Sequence, residues 1–327
     1  MADERRYNAG TCYETLRSFP NYSDDQNFRV LSWHEWRCWQ ENGYLVIPGL
    51  IPQRQCEDLI EVTCEFLGIQ IEEQLSWYRM SPRSEENPTL KTLQGMTELY
   101  HHQAMWNNRQ YPRLYDAFVD LWGTEKLWVT IDRVNMNLPN RDRWQNNGFL
   151  HWDIDLVKRE HVRNIQGVLS LNDNEKDMGG LQIVPDLFKQ LDNWLQSQPI
   201  NRSRIIKEKL EFEVINLESK AGDLVIWDSR MAHGTSPNRS NKPRYAQYIS
   251  MCPAEPEEEE LLQIRLESFE KRLGPRKCGM PGSTKEESFG CMAKLTELGF
   301  YGNTSSSSKT QTNSSTTSSL LDKKSQE

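Results

Sequence analysis

Ala221-Gly222-Asp223-Leu224-Val225-Ile226-Trp227-Asp228 reads as a glycine turn that feeds an apolar strand, Leu224 to Asp228. His233 follows and opens a polar segment, Gly234-Thr235-Ser236-Pro237-Asn238-Arg239-Ser240. A short apolar run bounded by turn residues and ending beside a histidine is the unit from which the rest of the chain is read.

Further runs of the same kind lie on either side, at 127–131, 131–137, 165–171, 181–184, 211–217, 223–228 and 244–251. Several alternate apolar and polar residues, as half-buried strands do. Many short strands between turn signals predict a sandwich or barrel, of which the jelly roll is one form. Helical patterns flank them. Ser32-Trp33-His34-Glu35 is a capping box, and that helix should stop at Gly43 before a strand at Tyr44-Leu45-Val46-Ile47. Pro52 opens a second helix, to about Gly68, and 111–121 reads as a third. Residues 76–110, with Pro82 and Pro88, read as irregular. After Pro256 a helix over about 257–273 puts Leu262, Leu266, Phe269 and Leu273 on one face, with Glu257 to Glu260 at its N-terminal turn. The expected class is mostly β with flanking α-helices. The expected organisation is an irregular lead-in over 1–31, one domain over 32–303 with its β core at about 127–252, and a disordered Ser/Thr-rich tail over 304–327.

The chemistry begins at Gly148-Phe149-Leu150-His151-Trp152-Asp153. Residues two apart on a strand face one side, so His151 and Asp153 aim an imidazole and a carboxylate at one point, while Trp152 points into packing. His233 lies far along the chain, which suits strands that return to one mouth. Two imidazoles and one carboxylate on one face of a metal leave positions open, the mark of iron(II) oxygenases; zinc is usually four-coordinate and fits less well. Arg244 comes eleven positions after His233 and opens an apolar strand. Its planar cation suits a carboxylate, such as the distal one of 2-oxoglutarate, and the Thr235 hydroxyl could be added to it.

Composition sets limits. At 36% hydrophobic and 26% charged the 327 residues are of ordinary globular type, with no apolar run long enough to span a bilayer. The net charge of −8 disfavours nucleic acid as the main partner. Seven cysteines, none in a Cys-x-x-Cys pair, suggest reduced thiols. The start Met1-Ala2-Asp3-Glu4-Arg5-Arg6 has no apolar stretch behind it, and the end Ser325-Gln326-Glu327 is not a peroxisomal signal, so a cytoplasmic location is expected.

These residues reach a resemblance. Asn42-Gly43-Tyr44-Leu45-Val46-Ile47-Pro48-Gly49, His151-Trp152-Asp153, Gly179-Gly180-Leu181 with Val184-Pro185, Gly222-Asp223, and His233-Gly234 followed by Arg244 together resemble the phytanoyl-CoA dioxygenase family, in order, from about residue 32 to residue 252. The resemblance implies a double-stranded β-helix (jelly-roll, cupin-like) core, iron(II) held by His151, Asp153 and His233, and 2-oxoglutarate bound by Arg244 with Thr235. It also implies dioxygen as oxidant, ascorbate as the reductant to supply, and hydroxylation of a small organic substrate coupled to decarboxylation of 2-oxoglutarate to succinate. Related halogenases carry a small residue where Asp153 stands, so hydroxylation is the expected outcome. Two departures bear on substrate: Val184-Pro185 is followed by Asp186-Leu187-Phe188 where the family often has Gly-Ser-His, and no peroxisomal terminus is present.

Strand parity makes Gln166 a further candidate for the cofactor pocket, with Asn135 and Met136 on a neighbouring strand. His101 and His102, with Gln103, are candidates for the mouth of the site, against the simpler reading of satisfied structural histidines. His34 and His161 carry no assignment. Two rival functions use the same residues: a catalytically silent jelly-roll binding protein, and a protein or nucleic-acid hydroxylase on the same iron core. Substrate identity and oligomeric state are open at this level.

Overall fold

The computed structural model describes residues 18–23, 25–78, 95–141, 144–154, 156, 163–199, 201–207, 209–274 and 289–299. The expected Ser/Thr-rich tail, the Pro82–Pro88 loop, His161 and most of the lead-in lie outside the described residues.

Helix α1 (Trp33–Asn42) starts at the expected capping box: the Ser32 hydroxyl accepts from the Glu35 amide, and the Glu35 carboxylate accepts from the Ser32 amide at 2.7 Å. It ends at Gly43 and leads into β1 (Tyr44–Ile47). Helix α2 (Gln53–Leu67) follows Pro52 and ends at Gly68. A one-turn α3 (Gln74–Trp77), a two-residue β2 (Met96–Thr97), α4 (Gln103–Arg109) and α5 (Pro112–Trp122) complete the helical part. The β elements are β3 (Leu127–Val129), β4 (Val134–Asn137), β5 (Leu150–His151), β6 (Ile165–Ser170), β7 (Leu181–Ile183), β8 (Ile205–Ile206), β9 (Ile215–Asn216), β10 (Leu224–Asp228), β11 (His233–Thr235), β12 (Arg244–Tyr248) and β13 (Met251–Pro253). Helices α6 (Pro185–Lys189) and α7 (Leu191–Gln196) lie between β7 and β8, and α8 (Glu259–Glu270) follows β13.

The strands form an antiparallel six-stranded sheet, β1-β10-β6-β12-β4-β2, and a five-stranded sheet, β8-β5-β11-β7-β9; β3 and β13 pair separately. This is the expected jelly-roll class, with two sheets that do not close into a barrel. Side-chain parity builds the layers. On β10, Leu224 and Ile226 join a core with Trp36, Trp39, Cys56, Leu59 and Phe118 of the helices. Val225 and Trp227, one residue out of phase, pack with Leu181 and Ile183 of the smaller sheet. On β6 and β12 the same alternation sends Leu169 and Tyr245 to the helices, and Val168 and Ala246 to the space between the sheets. The large sheet is thus buried on both faces, and Gln166, Arg244 and Tyr248 share the inter-sheet face by parity.

Two glycines set close approaches. Gly222 has φ +89° and takes amide bonds from Leu50 and Ile51 at 2.9 and 3.1 Å; a Cβ there would lie 2.2 Å from the Ile51 carbonyl oxygen. Gly234 lets β11 press on β5, since a Cβ would meet the Phe149 carbonyl oxygen at 1.7 Å. Asn137 ties the two sheets, donating to the Gly179 carbonyl at 2.8 Å.

Some expectations need correction. The run 211–217 pairs only at Ile215–Asn216. The buried side of α8 is centred on Ile264, Arg265 and Ser268, leaving Leu262, Leu266 and Phe269 half-buried. Arg265 takes an inward place because its guanidinium donates to the Val129 carbonyl at 2.7 Å and lies over Trp128, 5.0 Å from the ring centre. Cys38, Cys56, Cys64 and Cys291 are free thiols, but Cys252 is disulfide-bonded, so the thiols are not all reduced. No helix among the described residues is long and apolar enough to cross a membrane.

Candidate metal centre

The register of the smaller sheet brings two of the three expected ligands together. His151 on β5 and His233 on β11 are direct cross-strand partners, with ring centroids 4.5 Å apart. Asp153 stands two residues beyond His151, as parity required. Its Oδ1 is 3.4 Å from His151 Nε2, and its Oδ2 is 3.4 Å from His233 Nε2. The donor atoms of the three residues all lie within 4.8 Å of one another. Trp152 turns away as expected: it is 2% exposed in a separate cluster, and its indole N–H donates to the Arg230 carbonyl at 2.9 Å.

The chemistry of this set fits a cation. His233 Nδ1 is 2.9 Å from the Met231 carbonyl oxygen. A carbonyl only accepts, so Nδ1 carries the proton, and in the neutral ring Nε2 presents a lone pair. That lone pair faces a carboxylate lone pair at 3.4 Å. Two acceptors so placed need a positive charge between them, a proton or a metal ion. Around the Asp153 carboxyl, burial by itself would raise the pKa, even though 40% of the side chain is still open at the mouth. With a proton rather than a metal ion between them, His151 and His233 act as donors, outweigh that burial and hold the carboxyl well below the usual carboxylate range. Gln166 Nε2 donates to the carboxylate at Oδ2, 2.5 Å away, and Arg204 Nη1 holds the backbone of Asp153 by donating to its carbonyl oxygen at 2.8 Å.

Arg244 lies on the same inter-sheet face, 4% exposed. Its Nη1 is 3.4 Å from Asn135 Oδ1, its Nε has no hydrogen-bond partner among the described residues, and no carboxylate there pairs with it. Burial pushes the guanidinium pKa down, opposed by the nearby Tyr248 hydroxyl. A buried cation that lacks an anion is the shape of a site for an acidic ligand. Thr235 lies two residues after His233 on β11, hence on its face, and is half-buried.

The secondary candidates divide. Asn135 reaches Arg244 as strand parity suggested, whereas Met136 faces the helical core. His101 Nε2 bonds the Leu273 carbonyl at 2.8 Å, and burial pushes its pKa down to about 3. His102 caps α4, its Nδ1 accepting from the Ala104 amide at 3.2 Å; Gln103 bonds Asn107 and the Lys294 carbonyl. All three do structural work. Two residues were missed by the sequence reading. Trp227, whose indole N–H donates to Gln166 at 3.1 Å, and Tyr248, beside Arg244, were both legible from parity: Trp227 alternates with Ile226, and Tyr248 stands four after Arg244.

A jelly roll with two imidazoles, one carboxylate and a buried arginine between its sheets has the make-up of a non-haem iron, 2-oxoacid-dependent oxygenase. The phytanoyl-CoA dioxygenase family model matches residues 39–246, so the chain belongs to that family. The Ava biosynthesis cluster protein O of Aspergillus versicolor is 27% identical over 191 residues, which span 53% of this chain and 62% of that protein, less than two thirds of its length. Among solved structures, the chain is similar to the hypothetical protein JW0805 from Escherichia coli, with a TM-score of 0.59 and 16% identity, covering 83% of this chain and 81% of the other. It is also similar to the GlcNAc-inducible protein GIG2 from Candida albicans, with a TM-score of 0.56 and 13% identity, covering 75% and 68%. At such identities the likeness speaks to fold alone.

Proposed function

We propose that the chain, as one oxygenase unit over about 32–303, hydroxylates a small organic substrate with iron(II) held by His151, Asp153 and His233. The observation that carries this reading is the acceptor-against-acceptor arrangement of His233 and Asp153, with His151 completing the set. Iron bound there supplies the activation of dioxygen that hydroxylation needs. The protein supplies position and charge. Arg244, buried and lacking an anion, takes the distal carboxylate of 2-oxoglutarate, with the Thr235 hydroxyl beside it. The Asn135 amide oxygen reaches that guanidinium, and Tyr248 lies near it. Trp227, Val225 and Val168 close the space between the sheets against water. In the net reaction dioxygen gives one oxygen atom to a substrate C–H bond and one to 2-oxoglutarate, which leaves as succinate and carbon dioxide.

The open side of the set supports a substrate with an apolar region. The Phe149 ring stacks on His151 at 4.8 Å and is 39% exposed. Ile205, the cross-strand partner of His151 and therefore on its face, is 46% exposed. Two apolar side chains left at the mouth beside a ligand are where a C–H-bearing group would rest.

The test is release of succinate from 2-oxoglutarate by the purified chain with iron(II) and ascorbate under air, without prime substrate. Slow release that disappears in His233→Ala and in Arg244→Ala supports the reading. Release that persists in both variants would place the turnover elsewhere and sink it.

A further inference from the structure

We infer that Gln166 is the positioning residue for Asp153, and that Trp227 fixes which way round its amide stands. This rests on the reading of Asp153 as an iron ligand. Gln166 and Trp227 are cross-strand partners in β6 and β10, and both are buried, at 8% and 3% exposure. The amide oxygen of Gln166 accepts from the Trp227 indole at 3.1 Å, and the amide nitrogen donates to Asp153 Oδ2 at 2.5 Å.

Chemistry leaves this arrangement one orientation. An indole N–H can only donate, and a carboxylate that holds a metal can only accept. An amide between them satisfies both only with its oxygen towards Trp227 and its NH2 towards Asp153. The reverse would set donor against donor and acceptor against acceptor. Trp227 is itself held, packed between the sheets with its ring 5.1 Å from that of His233.

Asp153 is the member of the set that needs such help. His151 and His233 sit on paired strands, whereas Asp153 lies beyond the end of β5 in a bend and is the most open of the three. Among the described residues, Gln166 is the side chain outside the ligand set that bonds its carboxylate. The Gln166 amide occupies one lone pair of Oδ2 and so fixes the plane of the carboxylate before any metal arrives. Outer partners of metal ligands typically govern affinity by about 10–100-fold.

The experiment is anaerobic titration of metal-free protein with cobalt(II), followed by its visible absorption, in wild type, Gln166→Met, Trp227→Phe and the double variant. Melting temperatures of the metal-free proteins and affinities for 2-oxoglutarate are measured alongside. Gln166→Met keeps the length and loses the donor, so cobalt affinity should fall about ten-fold or more, with little change in the metal-free melting temperature. Trp227→Phe should lose less, and the double variant should be no weaker than Gln166→Met alone, because Trp227 acts through Gln166. If Gln166→Met does not fold, the smaller loss in Trp227→Phe carries the test, and its absence overturns the inference. Cobalt affinity unchanged in Gln166→Met, with 2-oxoglutarate affinity reduced, would assign Gln166 to the cosubstrate pocket and overturn it. Cobalt that wild type does not take up would instead overturn the ligand set itself, and this inference with it.

Discussion

His151 and His233 face one another across β5 and β11 at a 47° tilt, and the glycine next to His233 is what lets the strands come so close. A methyl group on residue 234 would fall 1.7 Å from the Phe149 carbonyl oxygen, so one strand must move. Gly234→Ala should therefore cost about 1–3 kcal/mol of stability and weaken metal uptake more than its distance from the metal alone would suggest. Cobalt titration together with denaturant unfolding of the metal-free protein checks both.

Arg244 has opposite roles with and without its anion. Without a bound anion it would be a buried cation that no carboxylate among the described residues pairs. Arg244→Met removes that desolvation cost, so the metal-free melting temperature should hold or rise. The same variant should lose about 2 kcal/mol or more of 2-oxoglutarate binding, the usual scale for a buried charge pair broken on one side. Thermal shift with and without 2-oxoglutarate separates the two effects.

Acid should destabilise the fold through His101. Burial pushes this imidazole from its ordinary 6.5 down to about 3. The folded state therefore binds fewer protons than the unfolded chain across that interval, and stability present above pH 6.5 is lost as pH falls towards 3. The loss from this one residue is on the order of a few kcal/mol. His101→Gln keeps a donor for the Leu273 carbonyl but cannot titrate. Its urea midpoint should depend less on pH than that of wild type between pH 4 and 7; an equal dependence would remove His101 as the cause.

The capping box of α1 gives a prediction away from the site. Ser32→Ala leaves the Glu35 amide without its acceptor and should destabilise by about 1 kcal/mol. Denaturant unfolding measures this, and cobalt affinity should stay at the wild-type value.

Much of this molecule is legible in residue order because its information is local. The capping box at Ser32, Pro52 before α2, and the strands at Tyr44, Ile165, Leu224 and Arg244 each announce themselves within a few residues. The ligand set is legible because the two-residue strand period puts His151 and Asp153 on one side and sets Trp152 apart. The strands missed or misjudged include the two-residue β2 and β8 and the short β9 and β11, where pairing is decided by neighbours far away in sequence and no period can develop. Helix α6 did carry a local signal, Pro185 at its first turn followed by Asp186, which is a helix start. On α8, hydrophobic spacing pointed to Leu262 and Leu266, but an arginine took the inner face because a carbonyl and a tryptophan waited there. The pairing of Trp227 with Gln166 depends on which strands are neighbours, which no local pattern states.

The central claim is that His151, Asp153 and His233 hold iron(II) and present it to 2-oxoglutarate on Arg244. Its most direct test is the visible charge-transfer band formed when iron(II) and 2-oxoglutarate are mixed with metal-free protein in the absence of oxygen. The account predicts a band in wild type that is lost in Asp153→Ala, and in Arg244→Met a band that requires much more 2-oxoglutarate. A wild-type protein that takes up iron but gives no band at saturating 2-oxoglutarate, or a band of full strength in Asp153→Ala, would contradict it.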